Sequence, residues 1–153
     1  MGIIVRHEQK QEAIYLIDIC GRRYSEEEAA RLNPLVLAYV GDSVFDLFVR
    51  TSLIGSGKAG RLHLLSANRV CAKAQAEVIK ELLPDLSEEE KEIFMRGRNA
   101  KTATVPRNAE VADYHMATGF EALVGYLYLT GNDDRLKEIM RSVTEKEREG
   151  FDE

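Results

Sequence analysis

Asp42 and Glu121 each stand in a run of apolar residues that recur at the three- and four-residue steps of one helical face. A carboxylate buried in such a face without a partner takes up a proton or binds a cation, because its charged form is costly outside water. For either residue alone, pairing with a core arginine or with a neighbouring backbone amide is the alternative. The apolar neighbours are Leu35, Ala38, Phe45 and Val49 for Asp42, and Tyr114, Ala117, Val124 and Tyr128 for Glu121.

Glycines beside both acids suggest that the two helices cross closely. Gly41 precedes Asp42, and Gly119 and Gly125 flank Glu121, although a glycine inside a helix costs about 0.5–1 kcal/mol relative to alanine. If the helices cross at these glycines, the carboxylates converge and offer oxygen ligands to Mg²⁺, which commonly takes only one or two protein carboxylates. The sequence shows no cluster of thiols or histidines that would favour zinc. A cation held in this way can activate water for attack on a phosphodiester.

Helix signals dominate the elements that must position these acids, and they predict an all-α fold. Asn33 and Pro34 are typical of a helix start, and the helix that follows carries Asp42 to the loop at residues 55–60. Serine and glutamate three residues apart predict two further helix starts, at Ser25 and Ser87. Residues 1–24 are an extension of uncertain structure, residues 25–148 one domain and residues 149–153 a tail. Other helices are predicted over residues 61–83, 88–95 and 111–129, and from Asp133 onward.

Composition excludes several classes of protein. The 153 residues carry a formal charge of −5, and 44% of them are hydrophobic, which is too apolar for a disordered chain. No apolar run approaches the roughly 20 residues that a membrane span needs, and the first ten residues hold too short an apolar stretch for a secretory signal. Cys20 and Cys71 form no CxxC motif, so neither a disulfide framework nor a zinc site is indicated. We expect a cytoplasmic protein without a membrane partner.

Positive charge is concentrated in two segments that contain no acidic residue. Such segments can present a positive face to a polyanion even in an acidic protein, and ordinary solvated surfaces are the alternative. Residues 50–76 hold Arg50, Lys58, Arg61, Arg69 and Lys73, and residues 93–109 hold Arg96, Arg98, Lys101 and Arg107.

Two sequence stretches resemble a known family. LNPLVLAYVGDSVFDLFVR, residues 32–50, resembles the signature helix of the ribonuclease III catalytic domain, and GFEALVGYLYL, residues 119–129, resembles its second acidic helix. The stretch from about Leu32 to Met140, with RGRNA at 96–100 and VPRN at 105–108, is most similar to the mini-ribonuclease III subfamily. The resemblance implies a helical, homodimeric endoribonuclease without a double-stranded RNA-binding domain. It implies Mg²⁺, with Mn²⁺ as the alternative, and processing of the 5′ and 3′ ends of precursor 23S ribosomal RNA.

The resemblance also assigns residues. Asp42 matches the family's catalytic, metal-binding aspartate, and Glu121 matches its glutamate. Ala38 and Thr118 stand where the larger family has a Glu and an Asp, a loss that the mini subfamily shares, so we expect a sparse metal shell completed by water and RNA phosphate. Asp46 and Thr118 are candidates for support of this shell from outside, and for Asp46 a solvated or dimer-contact role stays open.

The loop at residues 96–107 is the predicted RNA contact. Duplex RNA is recognised mainly through phosphates and 2′-hydroxyls, for which this loop supplies donors. The alternative for Arg96 and Arg98 is pairing with the acid-rich residues 85–92. The predicted RNA-binding residues are Arg96, Arg98, Asn99, Lys101, Thr102 and Arg107.

Partners and rival functions complete the expectations. A homodimer requires a self-complementary apolar patch, predicted on the signature helix through residues such as Phe45 and Phe48. A ribosomal protein that presents the RNA is a further candidate partner. The main rival function is a catalytically inactive RNA-binding module that assists ribosome assembly, and a helical small-molecule hydrolase is the other.

Overall fold

The all-α prediction is confirmed by the computed structural model, which describes residues 14–102 and 104–149. Within these residues no strand is formed. Residues 1–13 and 150–153 lie outside the described part, and with them most of the predicted extension (residues 1–24) and tail (149–153). The helices are α1 (Glu26–Ala30), α2 (Pro34–Ser52), α3 (Ala59–Val70), α4 (Ala72–Leu82), α5 (Glu88–Arg98), α6 (Val111–Leu129) and α7 (Asp133–Glu149), with 3-10 turns at Leu16–Ile19 and Leu83–Asp85.

The predicted helix starts are confirmed in their atomic detail. Asn33 Oδ1 accepts a hydrogen bond of 2.9 Å from the Leu35 amide, and Pro34 is the first residue of α2. The serines at 25 and 87 both form complete capping boxes with the glutamates three residues later, through bonds of 2.9 and 3.1 Å. These caps set where α1, α2 and α5 begin.

The prediction of one helix over residues 61–83 is wrong, because the chain breaks at Cys71. This residue has an extended backbone, with φ −67° and ψ 155°, between the end of α3 and the start of α4. The carbonyl of Val70 therefore loses its helical partner and instead accepts a hydrogen bond of 3.1 Å from Gln75 Nε2. A further difference is that α5 continues to Arg98, beyond the predicted end near Met95.

Helix α6 forms the centre of the core. From Ala117 to Leu129 every residue is buried except Glu121, because α2, α4 and α5 pack around this helix. Phe45 of α2 and Phe120 of α6 meet edge to face with ring centroids 5.2 Å apart. Phe45 is only 1% exposed, so the prediction that it contributes to a dimer patch is wrong.

Helix α7 is attached to the other helices by an apolar stripe and by one ion pair. Its buried face packs beside α6, and Arg135 Nε donates a 2.8 Å hydrogen bond to Glu90 Oε2 at the start of α5. No helix in the described part of the chain is both long and apolar enough to cross a membrane. The buried stripe consists of Leu136, Ile139, Met140 and Val143.

Candidate active site

Helices α2 and α6 cross in backbone contact at two glycines. A Cβ atom on Gly41 would overlap the carbonyl oxygen of Glu121, and one on Gly125 would overlap the carbonyl oxygen of Leu37. No side chain fits at either position, so both glycines are required by the close approach. Gly119, the third glycine of the prediction, serves a different contact, because its Cα faces the ring of Phe94 on α5.

This crossing brings Asp42 and Glu121 together, as the sequence predicts. Their carboxyl groups are close enough for the charge of Asp42 to raise the pKa of Glu121. The expectation that both are buried is wrong for Asp42, which is exposed, whereas Glu121 is half-buried. Gly41 already occupies the line of contact with α6, so Asp42, about 100° further around the helix, lies at the open edge of the crossing.

The environment of Glu121 raises its pKa from an ordinary 4.5 to about 8. Burial is the largest cause, the neighbouring Asp42 carboxylate is the next, and their shared hydrogen bond adds to the effect. A hydrogen bond from the Gln75 side chain acts in the opposite direction and lowers this pKa. Near neutral pH, Glu121 therefore holds a proton, which a bound cation would displace.

Gln75 is a residue of this site that was not predicted from the sequence. It lies on the buried face of α4, at 0% exposure, in line with Ile79 and Leu82. A polar residue at helical spacing among apolar ones is the same signal that singled out Asp42 and Glu121, so it could have been found. Its Oε1 is buried without a hydrogen-bond partner among the described residues.

The donor set fits a hard divalent cation and does not fit zinc. Two carboxylates and an unpaired amide oxygen are oxygen ligands of the kind that Mg²⁺ and Mn²⁺ prefer. In the described part of the chain, no three His, Cys, Asp or Glu side chains are grouped closely enough to hold a metal by themselves. A cation at this site would therefore be held by Asp42 and Glu121 and keep several waters.

The two residues predicted to support the metal from outside have other partners. The carboxylate of Asp46 forms a 2.9 Å ion pair with Arg50, one turn later on α2. Thr118 is buried, and its hydroxyl donates a 2.9 Å hydrogen bond to the Tyr114 carbonyl of its own helix. Each of the two side chains thus has a partner within its own helix.

The predicted RNA-binding residues occupy two different environments. Arg96 is half-buried, and its guanidinium donates to the carbonyls of Ala30 and Leu32, immediately before α2. The guanidinium thus contacts these two carbonyls and no acid of residues 85–92. Arg107 is exposed on the loop between α5 and α6. Arg98, Asn99, Lys101 and Thr102 line a groove together with Lys80, Ala100, Val105, Ala112, His115 and Met116.

We call this groove, lined by the ten residues just named, the basic groove. It includes residues of α4, of α6 and of the end of α5 with the loop that follows. Lys80 follows Gln75 on α4 and forms a 3.8 Å ion pair with Asp113 of α6. His115 precedes Glu121 by six residues, which corresponds to about 9 Å of helix rise. The basic groove and Glu121 thus share helix α6.

Comparison with known proteins agrees with this geometry. The Ribonuclease III domain family matches residues 35–132, which is more than half of the chain and includes both crossing helices. Mini-ribonuclease 3 of Clostridium tetani is 45% identical over 126 residues, covering 80% of this chain and 83% of the relative. Mini-ribonuclease 3 of Brevibacillus brevis is 49% identical over 111 residues, covering 71% of this chain and 83% of the relative.

A solved structure supports the fold. The crystal structure of a Fusobacterium nucleatum protein is 31% identical and superposes with a TM-score of 0.72, covering 81% of this chain and 99% of that one. The extent of the family match and the identity to several Mini-ribonuclease 3 proteins show that this chain belongs to the ribonuclease III family and is an endoribonuclease.

Proposed function

We propose that this protein cleaves double-stranded or structured RNA and that it requires Mg²⁺, or Mn²⁺ in its place. We propose further that its substrate is the paired 5′ and 3′ flanks of precursor 23S ribosomal RNA. The observation that carries the proposal is the convergence of Asp42 and Glu121 at the glycine crossing of α2 and α6. The resemblance to the mini-ribonuclease III subfamily supports the choice of RNA. The inactive-module and small-molecule alternatives lose support because the relatives are named ribonucleases.

Asp42 and Glu121 are the proposed catalytic and metal-binding residues. Asp42, at the open edge of the crossing, is exposed to solvent, whereas Glu121 lies deeper and would be ionised when it holds a cation. A divalent cation here would activate water and stabilise negative charge on the attacked phosphodiester. The two carboxylates orient it, because the glycine crossing fixes the distance between their helices.

The exposed residues at the end of α5 and on the α5–α6 loop are the proposed RNA-binding residues. Arg98, Asn99 and Lys101 present exposed donors at the basic groove, and Thr102 adds a hydroxyl. Arg107 extends this donor set along the loop. For Arg96, whose guanidinium is engaged by two carbonyls, we propose an indirect part: it holds the end of α5 against the start of α2.

A homodimer would supply one site for each RNA strand. We propose that it forms through an apolar groove on α2 and α7, where Tyr39 is 80% exposed and Leu47 is 62% exposed. Phe48, predicted for this role, does line this groove. Because α2 carries Asp42 on the same helix, pairing of two α2 helices would set the spacing of the two active sites. The groove also includes Val40, Val44, Leu136 and Met140.

The test is metal-dependent cleavage of a precursor ribosomal RNA that contains the paired flanks. Wild type, Asp42→Asn and Glu121→Gln are incubated with Mg²⁺, with Mn²⁺ and with EDTA, and the cut sites are mapped on both strands. We expect discrete cuts that need a metal and both carboxylates, with RNA binding retained in the variants. Near-wild-type cleavage by either variant would overturn the site assignment.

A parallel reaction tests the proposed partner and compartment. The same precursor is supplied bare and loaded with large-subunit ribosomal proteins, and we expect faster or more precise cutting of the loaded RNA if a ribosomal protein presents it. Equal cutting of both would remove that partner. A cytoplasmic location, which this substrate requires, is tested by fractionation of cells that produce the protein.

A further inference from the structure

Gln75 joins the break between α3 and α4 to the active site. Its backbone amide donates to the Cys71 carbonyl, and its side-chain Nε2 donates to the Val70 carbonyl at 3.1 Å. The same side chain reaches Glu121 across the α4–α6 contact. A fully buried polar side chain thus has one end in a helix break and the other beside a catalytic carboxylate.

The hydrogen-bonding capacity of this amide is only partly used. A glutamine side chain has two N–H donors and one oxygen acceptor with two lone pairs. Val70 accepts from the amide nitrogen, and Glu121 lies beside the same amide. The amide oxygen is buried without a hydrogen-bond partner among the described residues. Buried polar atoms are satisfied in the great majority of cases, so this oxygen calls for a donor.

We infer that Gln75 is a positioning residue of the Asp42–Glu121 site: its amide N–H holds the Glu121 carboxylate, and its Oε1 accepts a hydrogen bond from water that hydrates the bound cation. This inference rests on the proposed function. A hydrated Mg²⁺ or Mn²⁺ presents only donors through its waters, and Oε1 belongs to the amide that already contacts Glu121. Acceptors around the ligands tune metal affinity in this way.

A neutral acceptor suits this site better than a third acid would. Burial and the neighbouring Asp42 carboxylate already raise the pKa of Glu121. The positions where the larger family has further acids add no charge here, since they hold Ala38 and Thr118. Gln75 adds an oxygen to the donor set without adding charge.

The experiment measures Mn²⁺ binding by electron paramagnetic resonance of free Mn²⁺, which needs neither RNA nor turnover. Wild type is compared with Gln75→Met, which removes the oxygen, and with Gln75→Glu, which keeps an oxygen acceptor. Ile79→Val, one turn later on α4 and equally buried, is the control for lost packing. We expect Gln75→Met to weaken Mn²⁺ binding about tenfold and Ile79→Val to leave the Kd within a factor of two of wild type. Gln75→Glu, which keeps the oxygen but loses the amide N–H, should weaken binding less than Gln75→Met does.

The outcomes separate a role at the site from a purely structural role at the helix break. Wild-type Mn²⁺ affinity in Gln75→Met, or equal weakening in Gln75→Glu, would overturn the inference while leaving the proposed function intact. If circular dichroism shows that Gln75→Met does not fold, Gln75→Asn replaces it, because the shorter side chain withdraws the oxygen. Unchanged Mn²⁺ affinity in Gln75→Asn would also overturn the inference. A wild-type chain that neither binds Mn²⁺ nor cleaves RNA would instead refute the proposed function, and the inference with it.

Discussion

Gly41 and Gly125 face each other where α2 crosses α6, and the backbone nitrogen of Gly125 lies only 2.7 Å from the place that a Cβ on Gly41 would occupy. The two helices that carry the proposed catalytic carboxylates are therefore in backbone contact. This contact fixes the separation of Asp42 and Glu121 before any cation or RNA binds, so the site is preorganised by the fold.

Gly125→Ala is expected to destabilise the protein by about 3 kcal/mol or more, because the added methyl meets backbone atoms that have no room to shift. Urea unfolding followed by circular dichroism measures the change. Gly60→Ala is the matched control, since Gly60 lies in α3 and a Cβ there would meet no atom within 4 Å, so alanine should stabilise the protein by about 0.5–1 kcal/mol. Equal stability of Gly125→Ala and wild type would show that the helices can separate.

The raised pKa of Glu121 predicts an unusual pH dependence of stability without metal. A carboxyl group with a folded pKa of about 8 and an unfolded value of 4.5 binds its proton more tightly in the folded state. Its contribution is fully present below pH 4.5 and is lost as pH rises towards 8, at a rate of up to about 1.4 kcal/mol per pH unit. Urea unfolding in EDTA at pH 5.5, 6.5 and 7.5 should show this loss in wild type relative to Glu121→Gln.

Adding Mg²⁺ should restore the free energy of unfolding that wild type loses at the upper end of the pH range, near pH 7.5. A cation that binds only the folded chain stabilises it, by about 2.7 kcal/mol at one hundred times its Kd, and the effect needs ionised Glu121. Stabilisation by Mg²⁺ should therefore grow from pH 5.5 to 7.5 in wild type and be absent in Glu121→Gln. The same Mg²⁺ response in both proteins would place the cation elsewhere.

The sequence predicted the parts of this site that are coded by local pattern. The caps at Ser25, Asn33 and Ser87 depend on neighbouring residues only, and the structure confirms them. The convergence of Asp42 and Glu121 followed from glycines that had no local reason to be in helices.

Facing directions and long-range partners were harder to predict. Asp42 shares an apolar stripe but lies at its open edge, because the stripe is wider than the glycine contact. Phe45 is directed into the core by Phe120, a residue far away in sequence. Arg96 looks like any other basic loop residue until the carbonyls of Ala30 and Leu32 are placed beside it by the fold.

Arg96 and Arg98 are predicted to have separable roles. Arg96→Ala should lower the free energy of unfolding by about 1–3 kcal/mol, because two carbonyls lose a charged donor. Arg98→Ala should leave stability within about 0.5 kcal/mol of wild type, since its head group is exposed, and should weaken RNA binding instead. Urea unfolding measures the first effect. Binding of the catalytically blocked Asp42→Asn protein to duplex RNA at several salt concentrations measures the second.

If Arg98 contacts an RNA phosphate, the RNA affinity of Arg98→Ala should depend less on salt concentration than the affinity of its parent does. Removing one such contact should reduce the slope of log K against log salt by about one. Lys101→Ala is expected to behave like Arg98→Ala. An Arg98→Ala protein with both the affinity and the salt slope of its parent would remove this residue from the RNA interface.

Leu47 tests the proposed dimer. It is 62% exposed in the apolar groove of α2 and α7, so Leu47→Glu should not disturb the fold of one chain but should place a buried charge in a two-fold interface. Sedimentation velocity should show a dimer for wild type and a monomer for Leu47→Glu. Leu64→Glu is the control, because Leu64 is equally exposed, at 64%, on α3 outside this groove. In the proposed dimer each protomer supplies the site for one RNA strand, so the monomer should also lose coordinated cutting of both strands. A Leu47→Glu protein that remains a dimer would show that the interface lies on another face.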